Sequence, residues 1–166
     1  YRPFIHVEEI SAQEFREQRI SILNHDAVIF TSKNAMDHYF GIMEKLRLRI
    51  PDFTKYFCVS EAIAHYLQNF ITYRKRKIFT GEKTLASLIP IMQKHKDSKF
   101  LFPCSDVLKK QMNKSLEESG LEYTKAQMYK VACSDLSDLS DVKYDVLVFF
   151  SPTGIKSLLQ NFPEFV

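Results

Sequence analysis

Short apolar runs of strand length alternate along this chain with segments whose apolar residues recur every third or fourth position. That alternation restricts it to folds in which helices pack on a parallel sheet. The run Ala27-Val28-Ile29-Phe30 is apolar at every position, as a strand covered on both faces should be. The helix that follows, over 33–47, carries Met36, Tyr39, Phe40, Met43 and Leu46 as one stripe. Further strands are predicted over 3–7, 55–59, 76–79, 99–102, 122–131 and 145–150, the last again buried on both faces. The intervening helices are predicted within 11–23 (Phe15, Ile20, Ile22 and Leu23 inward) and over 61–70, 84–95, 106–119 and 152–160. Ser60 is placed as an N-cap, Pro90 as a kink or stop, Gly120 just past a helix end, and Pro152 in a first turn. Between 106 and 119, Leu108, Met112 and Leu116 stand at four-residue steps.

Composition narrows the function classes. With 45% hydrophobic and 26% charged residues the chain is globular, and 4 glycines leave little for a glycine-rich phosphate loop. Thr80-Gly81-Glu82-Lys83-Thr84 lacks the upstream glycine of a Walker motif. A net charge of +3 suits an acidic ligand and is too small to argue for nucleic acid. The densest basic cluster, Tyr73-Arg74-Lys75-Arg76-Lys77, reads as a solvated face guarding an edge strand, with a contact to nucleic acid or an acidic partner as the alternative. Cys58, Cys104 and Cys133 form neither a disulfide framework nor a zinc spacing. Cys58 and Cys104 sit in apolar runs as core thiols of a reducing, cytoplasmic setting. No run approaches the roughly 20 apolar residues that span a bilayer, so no membrane role is expected. The histidines are scattered singly, so no metal site and no catalytic nucleophile is indicated. The acidic and hydroxyl repeat over 134–141 lacks a calcium loop's glycine and reads as a solvated connector. The opening without Met, and an end without a polar tail, read as the interior of a longer protein.

Two junctions share a pattern: Phe30-Thr31-Ser32 and Phe150-Ser151-Pro152-Thr153-Gly154 each run from an apolar strand into a helix start. A third, Val59-Ser60-Glu61, is similar. Helix starts leave backbone N–H groups without partners and carry partial positive charge, which attracts carboxylates or phosphates. The plainer account of each is N-capping alone. Tyr129, late in the strand over 122–131, is either a packing aromatic or a phenol that hydrogen bonds into a cleft.

Taken in order, Arg2-Pro3-Phe4-Ile5, Val28-Ile29-Phe30-Thr31-Ser32, Phe102-Pro103-Cys104, Met128-Tyr129-Lys130 and Phe149-Phe150-Ser151-Pro152-Thr153-Gly154 resemble the uroporphyrinogen-III synthase family. The run over 149–160 is most similar to Bacteroidetes-type members. The resemblance implies a two-lobe α/β fold with parallel sheets flanked by helices. Residues 1–8 would be a linker strand, 9–127 a complete inner lobe, 128–133 the returning linker, and 134–166 a partial outer lobe, so that this chain alone would be inactive. It also implies a cofactor-free, monomeric enzyme that cyclises hydroxymethylbilane, a polycarboxylate linear tetrapyrrole, to uroporphyrinogen III with inversion of ring D. Tyr129 matches the family's linker tyrosine, proposed to assist loss of the hydroxyl. Thr31, Ser32, Ser60, Ser151, Pro152, Thr153 and Gly154 match positions that bind substrate. The loop after Val59 departs from the family, with Ser60 and Ile63 where many members have glycine and threonine. The alternative is a non-catalytic regulatory or ligand-binding module of the same shape.

Overall fold

The computed structural model describes residues 2–72 and 74–165; Tyr1, Val166 and Tyr73 of the basic cluster lie outside the described residues. The chain divides into two compact units, one of residues 9–129 and one of residues 2–8 with 130–165. In chain order the elements are β1 (Ile5–Glu9), α1 (Ala12–Glu17), β2 (Ala27–Phe30), α2 (Lys33–Lys45), β3 (Lys55–Cys58), α3 (Glu61–Tyr66), β4 (Ile78–Thr80), α4 (Leu85–Gln93), β5 (Phe100–Ser105), α5 (Asp106–Lys110), α6 (Lys114–Glu118), β6 (Tyr123–Cys133) and α7 (Pro152–Asn161). Among the described residues six strands form one sheet in the order β1-β6-β5-β2-β3-β4. β2 runs parallel to β3 and to β5, β3 parallel to β4, and β5 parallel to β6.

The apolar pattern accounts for the core of the larger unit. All four β2 residues are buried, and α2 buries Ala35, Met36, Tyr39, Ile42 and Met43. Phe30, Phe57 and Phe100 are fully covered, each burial stabilising by about 1.5–3 kcal/mol. Phe57 stacks on Phe79 at 4.8 Å and meets Phe100 edge-on at 5.2 Å, so β3, β4 and β5 share one aromatic seam. Pro103 is accommodated because β5 pairs with β2 only at Phe100 and Leu101; beyond them it faces β6 alone. Gly81 is required by close approach: a Cβ there would stand 2.6 Å from Ser87 Oγ and 3.0 Å from Leu88 Cγ.

Several sequence expectations are corrected. The helix expected over 106–119 is broken into α5 and α6, with Gln111 extended and Asn113 non-helical. Lys125 of β6 reaches the Leu108 and Gln111 carbonyls, supplying partners that the helix end would otherwise lack. Met112 is consequently 73% exposed, whereas Leu116 is buried. The strand expected over 145–150 is an extended segment without a paired strand among the described residues. Val146, Val148 and Phe150 lie exposed, so one face is open where burial of both was expected. Leu23 is exposed rather than inward, within a 3-10 turn that buries Ile22 as expected. Pro90 lies inside α4, which continues to Gln93. Gly120 has φ +70, as the position after a helix end requires.

In the smaller unit α7 is tied down by polar contacts. The Ser157 hydroxyl donates to the Phe4 carbonyl, and Asn161 Nδ2 donates to the Ser134 carbonyl at 3.0 Å. The Leu136 N–H donates to Asn161 Oδ1 at 3.0 Å, and Arg2 pairs with Asp138 at 2.8 Å.

Burial pushes the Cys58 thiol up to about 12 and the Cys104 thiol up to about 11, from an ordinary 9.0. Between the unfolded and folded values the folded chain holds more protons, so stability must fall as pH rises past about 9. Urea unfolding midpoints should therefore decline from about pH 8 to about pH 10.5, and Cys58→Ala should shrink that decline. An equal decline in the variant would show that the buried thiol is not its source.

Candidate functional site

β2, β3 and β4 succeed one another to one side of the sheet, while β5 and β6 lie on the other. The strand order therefore reverses between β2 and β5, and ligands of such sheets bind beyond the carboxyl ends at that reversal. The chain leaves β2 through Thr31, half-buried, and Ser32, whose extended backbone (φ −154, ψ 161) makes it the N-cap of α2. Ser32 Oγ accepts from the Ala35 N–H at 3.1 Å. Ser60 caps α3 after β3, accepting from the Ile63 N–H at 3.4 Å, and Ser105 caps α5 after β5, accepting from the Leu108 N–H at 3.1 Å. Each cap takes one orphan donor and keeps its own O–H free to donate. With 13 residues, α2 presents the fullest dipole of the three; α3 and α5, of 6 and 5 residues, add little.

Tyr129 joins this group from β6. Cys104 pairs with Gln127 and Ser105 with Tyr129, so β6 carries one extra residue there. The bulge lets Met128 and Tyr129 both turn inward, at 0% and 8% exposure. Burial pushes the Tyr129 phenol above its ordinary 10.0, and a hydrogen bond with the Ser32 side chain pulls it back. Its ring stacks on His38 of α2 at 4.9 Å with 23° between planes. Burial lowers the His38 imidazole, opposed by Glu9 and Asp37. Glu9 is held by Lys45 at 2.6 Å, which keeps its carboxylate ionised. Asp37 accepts from the Tyr66 hydroxyl at 2.7 Å. The outcome is a phenol that stays protonated at neutral pH, linked through Ser32 to the start of α2. Such an arrangement can hold an anion and can donate a proton or hydrogen bond; none of the described residues in it is an activated nucleophile.

In the smaller unit Ser151 (φ −155, ψ 153) caps α7, accepting from the Gly154 N–H at 3.4 Å, with Pro152 in the first turn. Thr153 is half-buried. A Cβ on Gly154 would lie 3.3 Å from the Phe149 ring, which packs edge-on against Phe4 at 5.5 Å. Phe4, Tyr144, Phe149, Phe150, Ser151 and Gly154 border a hollow of about 720 Å³.

The expected residues thus fall into two groups. Ser32 and Tyr129 are in contact, and Thr31 and Ser60 lie at the carboxyl ends of the neighbouring strands β2 and β3. Ser151, Pro152, Thr153 and Gly154 form one helix start in the other unit. Sequence reasoning missed Ser105 and His38. Ser105-Asp106 repeats the junction pattern, but ending its strand at Phe102 concealed it. His38 carries no local signal, since its partner Tyr129 is distant in sequence.

An open, mostly parallel six-stranded sheet flanked by helices, with serine-capped helix starts at its order reversal, defines a mixed α/β protein. The family model for uroporphyrinogen-III synthase HemD matches residues 1–165, and the chain belongs to that family. It is similar in fold to a mutant uroporphyrinogen III synthase from the extremely thermophilic bacterium Thermus thermophilus, with a TM-score of 0.61 and 16% identity, over 96% of this chain and 66% of that one. It is likewise similar to the uroporphyrinogen-III synthetase of Helicobacter pylori, with a TM-score of 0.58 and 21% identity, over 98% of this chain and 71% of that one. The chain therefore spans about two thirds of the length of the Thermus structure. No curated protein matches it.

If Ser32 lowers the Tyr129 phenol as its contact implies, Ser32→Ala should raise the Tyr129 midpoint in a carbon-13 tyrosine titration followed by NMR. An unchanged midpoint would separate the two side chains.

Proposed function

We propose that the protein carrying this chain is a uroporphyrinogen-III synthase, a hydro-lyase that closes hydroxymethylbilane to uroporphyrinogen III in tetrapyrrole biosynthesis. The observation that carries this reading is the buried Tyr129 phenol joined to Ser32 at the start of α2, in a chain whose family match runs over residues 1–165. In this reading Tyr129 donates a hydrogen bond to the departing hydroxyl of the bilane, water leaves, and an azafulvene remains. Ring D then inverts through a spiro intermediate before the macrocycle closes. Thr31, Ser32 and Ser60 take substrate carboxylates at helix starts, as do Ser151, Pro152, Thr153 and Gly154 in the smaller unit. The protein's main contribution is orientation: it favours inverted closure over the unassisted closure that gives isomer I.

No described helix is long and apolar enough to cross a membrane. We place the enzyme in the cytoplasm, acting as a monomer without a cofactor and without nucleic acid as a partner. Because the chain covers 66% and 71% of the two solved structures, residues 1–166 alone are expected to be inactive.

A coupled assay that supplies hydroxymethylbilane and separates isomers I and III tests this directly. The full protein should yield isomer III, and Tyr129→Phe should slow it by about tenfold to a hundredfold without unfolding. Exclusive isomer I from the wild type would leave the non-catalytic binding module as the better reading. An unchanged rate in Tyr129→Phe would return that residue to packing.

A further inference from the structure

At the opposite end of the strands from Ser32 and Ser60, the larger unit has a second cavity, of about 210 Å³. Thr54 stands immediately before β3 and Lys77 immediately before β4; these strands are parallel, with Tyr56 beside Ile78, so their amino ends open into the same space. Thr54, Tyr56, Arg74, Lys77 and Ile78 line it, with Asp52 at the rim.

Two features here are unaccounted for by packing. Thr54 is 3% exposed, and its hydroxyl has no hydrogen-bond partner among the described residues. Buried hydroxyls are nearly always satisfied, so an orphan on a cavity wall is informative. Arg74 and Lys77 form no ion pair with any described residue, and the exposed Asp52 carboxylate is not within salt-bridge distance of either. Tyr56 is 5% exposed, and burial pushes its phenol up to about 12, so it remains a donor at any physiological pH. Guarding the edge strand β4 would explain the basic residues, but neither the cavity nor the orphan hydroxyl.

We propose that this cavity is a second anion site, in which Arg74 and Lys77 bind a small carboxylate or phosphate and the Thr54 hydroxyl donates to it. It lies at the amino ends of the strands and is independent of the function proposed above. Ile71 and Ile78 on its wall favour a ligand with a short apolar body behind its charged group.

The test is an amide NMR titration of the nitrogen-15-labelled chain at constant ionic strength, with inorganic phosphate in one arm and succinate in the other. Saturable shifts at Thr54, Tyr56 and Ile78 in either arm are expected, and the responsive arm identifies the charged group. Arg74→Gln with Lys77→Gln should weaken binding by about a hundredfold, and Thr54→Val by about tenfold. Shifts that fail to saturate, that persist in the double variant, or that are absent from these amides in both arms would overturn the site.

Discussion

Everything that positions the candidate site depends on β2 being locked between two parallel neighbours. Ala27, Val28, Ile29 and Phe30 are each at most 1% exposed, and the strand pairs with β3 along its whole length and with β5 over its first half. Phe30 completes the lock, packing against Tyr39 and Phe40 of α2 and against Tyr56 of β3. With strand and helix fixed on either side of it, the two-residue step through Thr31 and Ser32 has little freedom. The N-cap of α2 is thereby held at the order reversal of the sheet.

The second positional constraint comes from β6. Its one-residue bulge opposite Cys104 and Ser105 places Met128 in the core and still brings Tyr129 to Ser32. Packing thus delivers a phenol, a serine hydroxyl and a helix start to one place. Electrostatics does the rest: desolvation keeps the phenol protonated, and the N-terminus of α2 favours negative charge. A site of donors without a nucleophile suits a reaction in which water departs and a polycarboxylate chain must be folded on itself. Orientation alone can lower such a barrier substantially.

How much of this was legible in the sequence follows from what each signal reports. The continuous apolar run of β2 and the stripe of α2 specify burial directly, and Ser32, Ser60 and Ser151 stand as caps where hydroxyls precede helical periodicity. Residues 145–150 show the limit of that logic. An apolar run records what a segment can bury, not whether a neighbouring strand is present to pair with it, and here Val146, Val148 and Phe150 remain open. The break between α5 and α6 was hidden because Lys125, which takes the helix-end carbonyls, lies in a different element. His38 was invisible for a related reason, since its significance arises from tertiary contact with β6, whereas Ser105 was concealed only because its strand runs three residues past Phe102. The family resemblance supplied Tyr129 as a site residue, whereas periodicity alone left it undecided.

In the function we propose, the carboxyl edge of this sheet, with Ser32 and Tyr129 at its centre, holds a polycarboxylate tetrapyrrole. A crystal structure of the full protein with uroporphyrinogen III bound would test it most directly. A tetrapyrrole carboxylate is expected at the N-terminus of α2 within hydrogen-bond distance of Ser32, with a pyrrole ring beside the Tyr129 hydroxyl. A tetrapyrrole seated away from both residues, with Tyr129 still packed on His38 and touching nothing else, would contradict it.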